Sequence, residues 1–376
     1  MFIFSFLGVF SVIAWVYLAL ARGFFWIPLL AEESSPPVRL PSVDIVVPAR
    51  DEAEMLPRTL PSLLAQDYEG AWRIILVDDH SRDGTGDIAR KIAADLGKSE
   101  HLTVVNAPDL PEGWSGKVAA MNAGASQSDA EMVLFTDADI RHSPRSLRLL
   151  VARAEVRKLD LTSRMVTLNC TIFAEKLLIP AFVFFFAMLY PFKRANDPKS
   201  QIAAAAGGTM LVRRSMLDKI GGLACIQSAL IDDCSLAKAM KRAGGKIELT
   251  LTRASHSLRP YPHIADVWKM IARTAYTQLR HSPLVLTGTG IGLALLFFVP
   301  PLLFILAPTL TALLAGFMAV LLMTGIYIPM VKFYGLPWFW AFTLPLAAAV
   351  YATATIDSAR LYHQGKGGQW KGRAQA

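Results

Sequence analysis

Charged residues are scarce in this chain of 376 residues, since Asp, Glu, Lys and Arg make up 18% of it, against about 25% in an ordinary soluble domain. Hydrophobic residues make up 53%, so a purely soluble protein is disfavoured. The three cysteines, at positions 170, 225 and 234, are too few and too far apart for a disulfide framework or a zinc site. Low-complexity tracts are also absent, and the 10% aromatic content excludes a disordered chain.

Two common ligand-binding motifs are missing or incomplete. No G-x-G-x-x-G follows a predicted strand, because Gly288, Gly290 and Gly292 have another spacing inside an apolar run, and this disfavours a dinucleotide oxidoreductase. Residues 79–84 begin like a calcium loop, but the twelfth position is Arg90, where that loop needs Glu. The net charge of +8 does not choose between anionic lipid, nucleic acid and a phosphorylated substrate; with the acidic motifs below, we predict no nucleic-acid partner.

Uncharged apolar runs predict membrane helices at both ends of the chain. Residues 2–20 are 19 residues without a charge, close to the length that spans a hydrocarbon core of about 30 Å. No basic segment precedes this run, so we predict a membrane anchor over 1–30 rather than a cleaved signal peptide. Three further apolar blocks lie near 284–306, 308–330 and 336–356. They predict C-terminal transmembrane helices over 283–358, ahead of a basic tail at 359–376.

The charges around these blocks bear on their topology. A cytoplasmic domain followed by three crossings would put the basic tail outside, against the positive-inside rule, so one block is predicted to be re-entrant. Pro300 and Pro301 make the first block the candidate. The stretch 177–192 is short for a crossing and predicts a helix at the membrane surface or one that faces the substrate. The stretch 261–282 is amphipathic and predicts a helix at the membrane surface. An ordinary amphipathic core helix is the alternative for 261–282.

Residues 42–260 have the pattern of a folded α/β domain, after a proline-broken linker at 34–41. Short β-branched, apolar runs predict strands at 43–48, 72–77, 102–105 and 132–136. Helical patterns alternate with them at 54–66, 86–96 and 117–126, with Asp83 or Thr85 as a cap for the second. This βαβα alternation predicts a mainly parallel, Rossmann-like sheet covered on both faces.

Acidic motifs follow two of the predicted strands. Asp78 and Asp79 come at the end of the second strand, where open α/β sheets place their ligands, so these carboxylates are predicted to bind the ribose or base of a nucleotide. Asp137 and Asp139 follow the fourth strand at a spacing of two. Carboxylates so placed can face one Mg²⁺ or Mn²⁺ ion and a substrate diphosphate.

A third acidic pair, Asp232 and Asp233, precedes a helical segment. Alone, such a pair would be interpreted as a helix cap. Beside the other motifs, it predicts the general base that a direct displacement at a sugar carbon needs, and we assign this role to Asp233. His256 is a candidate third metal ligand, with an ordinary loop histidine as the alternative, and His142 is expected to be solvated.

The order and spacing of these motifs resemble the family 2 glycosyltransferases with a GT-A fold, over about residues 42–260. The segments that carry the resemblance are VPARDE at 47–52, VDDHSRDGT at 77–85, Gly116-Lys117 with Asn122, TDAD at 136–139, GGT at 207–209, IGG at 220–222 and IDDCSLA at 231–237. The membrane arrangement is most similar to that of hopanoid-biosynthesis-associated glycosyltransferases, with ceramide glucosyltransferases as wider relatives.

The resemblance implies a role for each matching residue. Those implied to bind the donor are Pro48, Asp51, Glu52, Asp78, Asp79, Lys117, Asn122, Asp137 and Arg280. Asp139 is implied to hold Mg²⁺ or Mn²⁺ together with Asp137, and Asp233 to be the base. Of the Q-x-x-R-W motif of processive synthases only Arg280 is present, so a polysaccharide synthase is the weaker alternative.

The implied activity is that of a membrane-bound inverting transferase, which moves a sugar from a UDP-sugar or similar donor to a lipid hydroxyl, with a hopanoid as the first expectation. One alternative is a polyprenyl-phosphate glycosyltransferase, whose nucleophile needs no base. Another is a transport or scaffold protein with a degenerate nucleotide-binding domain. We expect a multi-pass protein of the inner (plasma) membrane with its catalytic domain in the cytoplasm, since the acidic motifs and the lack of evident disulfides fit that compartment.

Overall fold

The structure, a computed structural model, describes residues 1–31, 39–370 and 373–374. It consists of two compact units, one helical and one α/β. The helical unit is Met1–Pro28, Cys170–Lys193 and Tyr261–Gly367, and the α/β unit is Leu29–Asn169, Arg194–Pro260 and Gly368–Ala376. The predicted domain at 42–260 is therefore interrupted by a segment of the helical unit. Parts of the predicted linker (32–38) and of the basic tail (371–372 and 375–376) lie outside the described residues.

The α/β unit is built on one sheet of eight strands. They are β1 (Val43–Ala49), β2 (Trp72–Asp78), β3 (Leu102–Asn106), β4 (Met132–Phe135), β5 (Ile140–His142), β6 (Leu161–Thr167), β7 (Met210–Arg213) and β8 (Ile247–Ser257). The strand order is β3-β2-β1-β4-β7-β6-β8-β5. The four predicted strands are confirmed as β1 to β4, which pair in parallel. β7 runs antiparallel to β4 and β6, and β5 to β8, so the sheet is mixed.

Both faces of this sheet are covered, as the alternation of strand and helix predicts. Val46 packs into the apolar cluster on one face, while Ile45 and Val47 pack into the cluster on the other, because successive side chains of a strand point to opposite faces. The covering helices are Leu56–Leu64, Thr85–Asp95, Gly116–Ser126, Ser146–Arg157, Arg214–Lys219 and Asp232–Arg242, with 3₁₀ turns at Ser99–His101 and Gly222–Ile226. The short helix Phe192–Asn196 contains the unit boundary. The N-cap of the second helix is Gly84, without a side-chain cap bond, so the prediction of Asp83 or Thr85 as the cap is wrong; Asp83 Oδ1 accepts instead from the N–H of Thr85, the first helical residue, at 3.0 Å.

Four helices of the described chain are long and apolar enough to cross a membrane. They are Phe2–Leu20, Pro283–Leu306, Leu310–Phe333 and Trp338–His363. These positions match the predicted anchor and the three predicted C-terminal blocks. Leu344–His363 is the α-helical part of the last one, after a 3₁₀ turn at Trp338–Thr343. Past this unit, Gln369–Trp370 and Arg373–Ala374 form a two-residue antiparallel pair.

The first C-terminal block is irregular, as its prolines predict. It consists of Pro283–Leu293, a π-helical segment at Ala294–Phe298, and Val299–Leu306. Because prolines 300 and 301 have no N–H, carbonyls about four or five residues earlier lose their helical partner. Trp15 and Ser11 of the anchor donate instead to the carbonyls of Leu296 and Leu295, both at 2.9 Å. Re-entry of this block stays a prediction.

The two helices predicted at the membrane surface are packed elements of the helical unit. In Phe173–Leu189 the side chains of Leu177, Leu178 and Ile179 are buried, so packing accounts for the apolar run, and a place at the membrane surface stays a prediction. In Ile264–Gln278 the apolar face is also buried, and Trp268 donates to Asp357 at 2.9 Å. That packing fits the alternative of an amphipathic core helix.

Candidate active site

The first group of predicted site residues lies where β1 and β2 end side by side. The parallel register pairs Ala49 with Asp78, and the Asp79 N–H donates to the Ala49 carbonyl at 2.8 Å. Pro48 lies inside β1, buried and one residue before its end. The carboxyl ends of parallel strands meet at one edge of the sheet, and this places Asp78 and Asp79 beside the loop that follows β1.

The loops after β1 and β2 are bonded to each other. Asp51 Oδ1 accepts from the Arg82 N–H at 2.8 Å, and the Asp51 N–H donates to Ser81 Oγ at 3.0 Å. The Glu52 N–H donates to Thr85 Oγ1 at 2.9 Å. The structure thus brings together the four acidic residues implied to bind the nucleoside, two from each loop, and their role as nucleoside ligands stays a prediction.

The DxD segment, residues 137–139 after β4, is preceded by Thr136, and a buried histidine is hydrogen-bonded to this threonine. The Thr136 hydroxyl donates to the Gly208 carbonyl at 2.8 Å and lies 2.9 Å from His142 Nε2. His142 Nδ1 lies 3.1 Å from Ser255 Oγ. Burial lowers the pKa of His142 to about 4, so the ring is neutral and donates from Nε2 to Thr136. The expectation that His142 is solvated is wrong: it is 4% exposed, and its polar partners explain why it is tolerated inside.

Lys117 joins the DxD segment to the predicted base motif. Its Nζ lies 2.9 Å from Asp137 Oδ1 and 3.3 Å from Asp232 Oδ2. Burial alone would lower the pKa of Lys117, but the two carboxylates raise it well above its ordinary value. Lys117 therefore stays charged, and two motifs that lie about a hundred residues apart in the chain share one cation.

Asp233 lies in the first turn of the helix Asp232–Arg242, and two backbone groups orient it. Its Oδ2 accepts from the Gly207 N–H at 2.9 Å and its Oδ1 from the Cys234 N–H at 2.7 Å. Burial and the neighbouring Asp232 charge raise the pKa of Asp233 to about 6. A carboxylate with such a pKa is mostly ionised at neutral pH and still basic enough to accept a proton.

Gly207 lies between these charged groups. A Cβ atom at this position would lie 3.1 Å from Lys117 Nζ, 3.6 Å from Asp233 Oδ2 and 3.9 Å from Asp137 Oδ2. A side chain at this position would therefore crowd Lys117, and glycine lets the three charged side chains approach the backbone. We call Lys117, Asp137, Asp232, Asp233 and Gly207 the base cluster.

Asp139, the second acid of the DxD segment, is bound to the last residue of β8 and to an arginine just after it. Its Oδ2 accepts from Arg259 Nε at 2.8 Å and from Ser257 Oγ at 3.3 Å. Arg259 Nη2 donates to Glu52 Oε1 at 3.0 Å. Burial and the Asp137 charge raise the pKa of Asp139, and Arg259 opposes that shift. Sequence reasoning missed Arg259, because a single arginine after a strand belongs to no recognisable motif.

The metal ligands can be tested against this geometry. Within the described ranges, no group of three His, Cys, Asp or Glu side chains is placed to hold a metal ion. The predicted third ligand, His256, is adjacent to Ser257 on β8, and alternation turns it away from the face on which Ser257 meets Asp139. His256 as a third ligand therefore stays a prediction, and the pair considered below is Asp137 and Asp139. Two carboxylates still fit Mg²⁺ or Mn²⁺, which commonly take their other ligands from substrate phosphates and water.

Asn122 and Arg280, which the resemblance also implies to bind the donor, are not part of the base cluster. Asn122 follows Lys117 by five residues on the helix Gly116–Ser126, which puts it about 140° around the helix axis. Arg280 belongs to the helical unit, where it has φ +55 in the turn after Ile264–Gln278. Its predicted contact with the diphosphate, like the role of Asn122, stays a prediction.

Comparison with known proteins identifies the α/β unit. Residues 44–221 match the family model Glycosyl transferase family 2. A probable glycosyltransferase of Bacillus subtilis strain 168, YdaM, is 25% identical over 234 residues, which cover 61% of this chain and 53% of that protein. An undecaprenyl-phosphate 4-deoxy-4-formamido-L-arabinose transferase of Pseudomonas fluorescens strain SBW25 is 33% identical over 124 residues, 31% of this chain and 33% of that protein. The chain thus spans about half or less of the length of these relatives.

A solved structure with the same fold is the mannosyltransferase PcManGT from Pyrobaculum calidifontis, determined in complex with GDP-Man and Mn²⁺. It superposes with a TM-score of 0.57 and 16% identity, covering 94% of this chain and 99% of that one. At this identity the likeness shows the fold alone, and it confirms the predicted GT-A fold.

Proposed function

The segment at residues 44–221 is a family 2 glycosyltransferase domain, and from this premise we propose that the protein transfers a sugar from a nucleoside-diphosphate sugar to a lipid. The observation that carries the proposal is the base cluster. Its Lys117 pairs with Asp137 and Asp232, and its Gly207 N–H orients the carboxylate of Asp233. A degenerate domain in a transport or scaffold protein would not need these charges assembled.

In the proposed reaction Asp233 is the general base. Its carboxylate accepts the proton of an acceptor hydroxyl as the oxygen attacks the anomeric carbon of the donor sugar. The bond between that carbon and the diphosphate oxygen breaks, and the nucleoside diphosphate leaves with the electron pair. A direct displacement of this kind inverts the anomeric carbon. The Gly207 N–H and the Cys234 N–H fix the carboxylate for this step.

A divalent cation fits the two DxD carboxylates. Asp139 and Asp137 would hold it, and when bound it would stabilise negative charge on the departing diphosphate. Hydrogen bonds from Asp51 to Ser81 and Arg82 join the two acidic loops, and this supports nucleoside binding at the same edge of the sheet. UDP is the nucleotide that we propose first.

The four helices that are long enough to cross a membrane support an acceptor drawn from the bilayer. Among lipids with a hydroxyl, a polycyclic isoprenoid of the hopanoid type comes first, on the strength of the sequence resemblance. We place the catalytic unit in the cytoplasm, where nucleotide sugars are made. An impermeant thiol reagent that labels a cysteine introduced at Ser99 in intact cells would contradict this orientation.

A second candidate is transfer to a polyprenyl phosphate, and the relative from Pseudomonas fluorescens, named an undecaprenyl-phosphate transferase, favours it. Its acceptor would be an anionic phosphate, which is already nucleophilic and needs no general base. The two candidates therefore differ in how strongly they depend on Asp233.

The proposal can be tested with the purified full-length protein in detergent and a panel of radiolabelled nucleotide sugars. Without acceptor, one donor should be hydrolysed slowly; with lipid added, the label should become extractable into organic solvent. EDTA should lower turnover about tenfold or more, and added Mn²⁺ or Mg²⁺ should restore it. Repeated extension of a soluble glycan without any labelled lipid would overturn the proposal in favour of a polysaccharide synthase.

The pKa of Asp233 predicts how the transfer rate depends on pH. The base must be ionised, and its pKa is about 6, so kcat/KM should rise about tenfold per pH unit below 6 and level off above it. Asp232→Asn should move the midpoint to lower pH, because the Asp232 charge is one cause of the raised pKa. A profile that is flat between pH 4.5 and 8 would remove Asp233 from the rate-limiting step.

A further inference from the structure

Arg259 binds two carboxylates that belong to different parts of the site. Its Nε donates to Asp139 at 2.8 Å, and its Nη2 donates to Glu52 at 3.0 Å. Glu52 comes from the loop after β1, which we assign to the nucleoside, and Asp139 is the acid that we assign to the cation. One guanidinium therefore spans the nucleoside side and the metal side of the proposed donor site.

The two carboxylates are held in place by their own backbone. The Glu52 N–H donates to Thr85 Oγ1 at 2.9 Å, and the Asp139 carbonyl accepts from the Leu258 N–H at 2.9 Å. Their side chains are 8% and 10% exposed. Because a largely buried carboxylate needs a counter-charge, Asp139 needs another cation when Arg259 leaves it.

Arg259 itself is the movable member of the group. Its side chain is 37% exposed, whereas the two carboxylates are largely buried, so of the three groups the guanidinium is the one that can turn towards water once a cation neutralises Asp139. Asp139 Oδ2 already accepts from both Arg259 and Ser257. A cation that coordinates this oxygen must therefore compete with the Arg259 N–H for it.

We propose that Arg259 is a displaceable counter-ion, which neutralises Asp139 and Glu52 until a divalent cation reaches Asp139 and keeps Glu52 as its partner afterwards. It acts as a positioning residue, because its contacts in the structure are with other side chains of the chain. The inference rests on the metal-binding part of the proposed function. Its consequence is that the protein binds the metal weakly before a donor supplies further ligands.

The test measures Mn²⁺ binding without nucleotide, with the metal alone as the probe. Purified full-length protein in detergent is titrated with Mn²⁺, and free Mn²⁺ is followed by its electron paramagnetic resonance signal. Arg259→Gln removes the competing charge and should tighten binding by about 10- to 100-fold, the scale of one charge-assisted hydrogen bond. Arg259→Lys, which keeps the charge but cannot bridge two carboxylates, should lie between the two.

Arg141→Gln is the matched control, because Arg141 is exposed and lies two residues after Asp139. It removes the same charge, which is screened by solvent, and should change affinity by about threefold or less. As a second readout, Mn²⁺ should raise the unfolding temperature of Arg259→Gln more than that of the wild type.

Unchanged or weaker Mn²⁺ binding by Arg259→Gln would overturn the inference, and so would an equal gain in Arg141→Gln. Absence of Mn²⁺ binding by the wild type and by Arg259→Gln alike would also overturn it. Donor hydrolysis by the wild type reports separately on the proposed transferase activity, so the two failures are distinguishable.

Discussion

Asp233→Asn should lower sugar transfer by about 10²- to 10⁴-fold, the usual contribution of a general base, while nucleotide-sugar binding is retained. The amide has nearly the same shape as the carboxylate but cannot accept the proton of the acceptor hydroxyl. Both oxygens of the Asp233 carboxylate accept from backbone N–H groups. In the asparagine side chain an NH₂ group replaces one of these oxygens, and it cannot accept from the N–H that it faces. We therefore expect some loss of stability, about 1–3 kcal/mol, which thermal unfolding would report.

The measurements are transfer to lipid at saturating donor and donor affinity by calorimetry. Asp218→Asn, an exposed aspartate on a short helix, is the matched control and should leave both values unchanged. Transfer by Asp233→Asn within tenfold of the wild type, with intact folding, would remove the base role. That result would favour the polyprenyl-phosphate candidate, whose nucleophile is ionised without help.

Lys117→Met should destabilise the α/β unit and also impair transfer. It leaves the carboxylates of Asp137 and Asp232 without their shared cation, and breaking a buried ion pair in this way costs about 3–5 kcal/mol. Partial solvent exposure of Asp137 screens its charge and lowers this figure. For a unit of this size, the unfolding temperature should fall by roughly 6–20 °C at the full cost.

The same variant should shift the pH profile of any remaining activity. Lys117 is one of the groups that lower the pKa of Asp233, so its loss should move the midpoint above 6. Lys117→Met combined with Asp137→Asn removes one unbalanced charge and should recover part of the stability, as a double-mutant cycle would measure. Lys238→Met, on an exposed position of the helix Asp232–Arg242, is the control. Wild-type stability of Lys117→Met would show that the ion pairs contribute little.

The parallel half of the sheet could be predicted from the sequence, because β1 to β4 are apolar runs bounded by polar or turn residues. The other half, in which β7 and β5 pair antiparallel to their neighbours while β6 and β8 pair in parallel, could not. β5 has three residues and β7 four, too short for a period to show. Their partners are distant in the chain, as when Ile140 pairs with Ser257, and such pairings are decided by tertiary packing.

The packing of the apolar run at 177–192 could not be predicted, for a related reason. Its composition shows only that the segment avoids water, which a membrane surface and a protein interior satisfy equally. What decides between them is a partner such as Tyr351, whose hydroxyl donates to the Leu178 carbonyl at 3.0 Å. The sequence near Leu178 contains no pattern that predicts a contact with a residue as distant in the chain as Tyr351.

The site was predictable as separate motifs and not as a network. Asp137 and Asp233 were identified by their positions after a strand and before a helix, and Lys117 by its resemblance to a donor ligand. The contact of Lys117 with both acidic motifs, and the bridge that Arg259 forms, depend on strand order. Ser257, the neighbour of His256 on β8, is the residue that donates to Asp139, and a contact of this kind depends on strand register.

Because the neutral histidine next to the DxD segment does not gain or lose a proton near pH 6, this part of the site keeps its hydrogen bonds there. His142 has a pKa of about 4 and two hydroxyl partners, so the bend that carries Asp137 and Asp139 keeps one hydrogen-bonding pattern from mildly acidic to alkaline solution. An inflection of kcat/KM near pH 6 can then be assigned to the carboxylate of Asp233, and not to a change in the structure of the segment that carries Asp137 and Asp139.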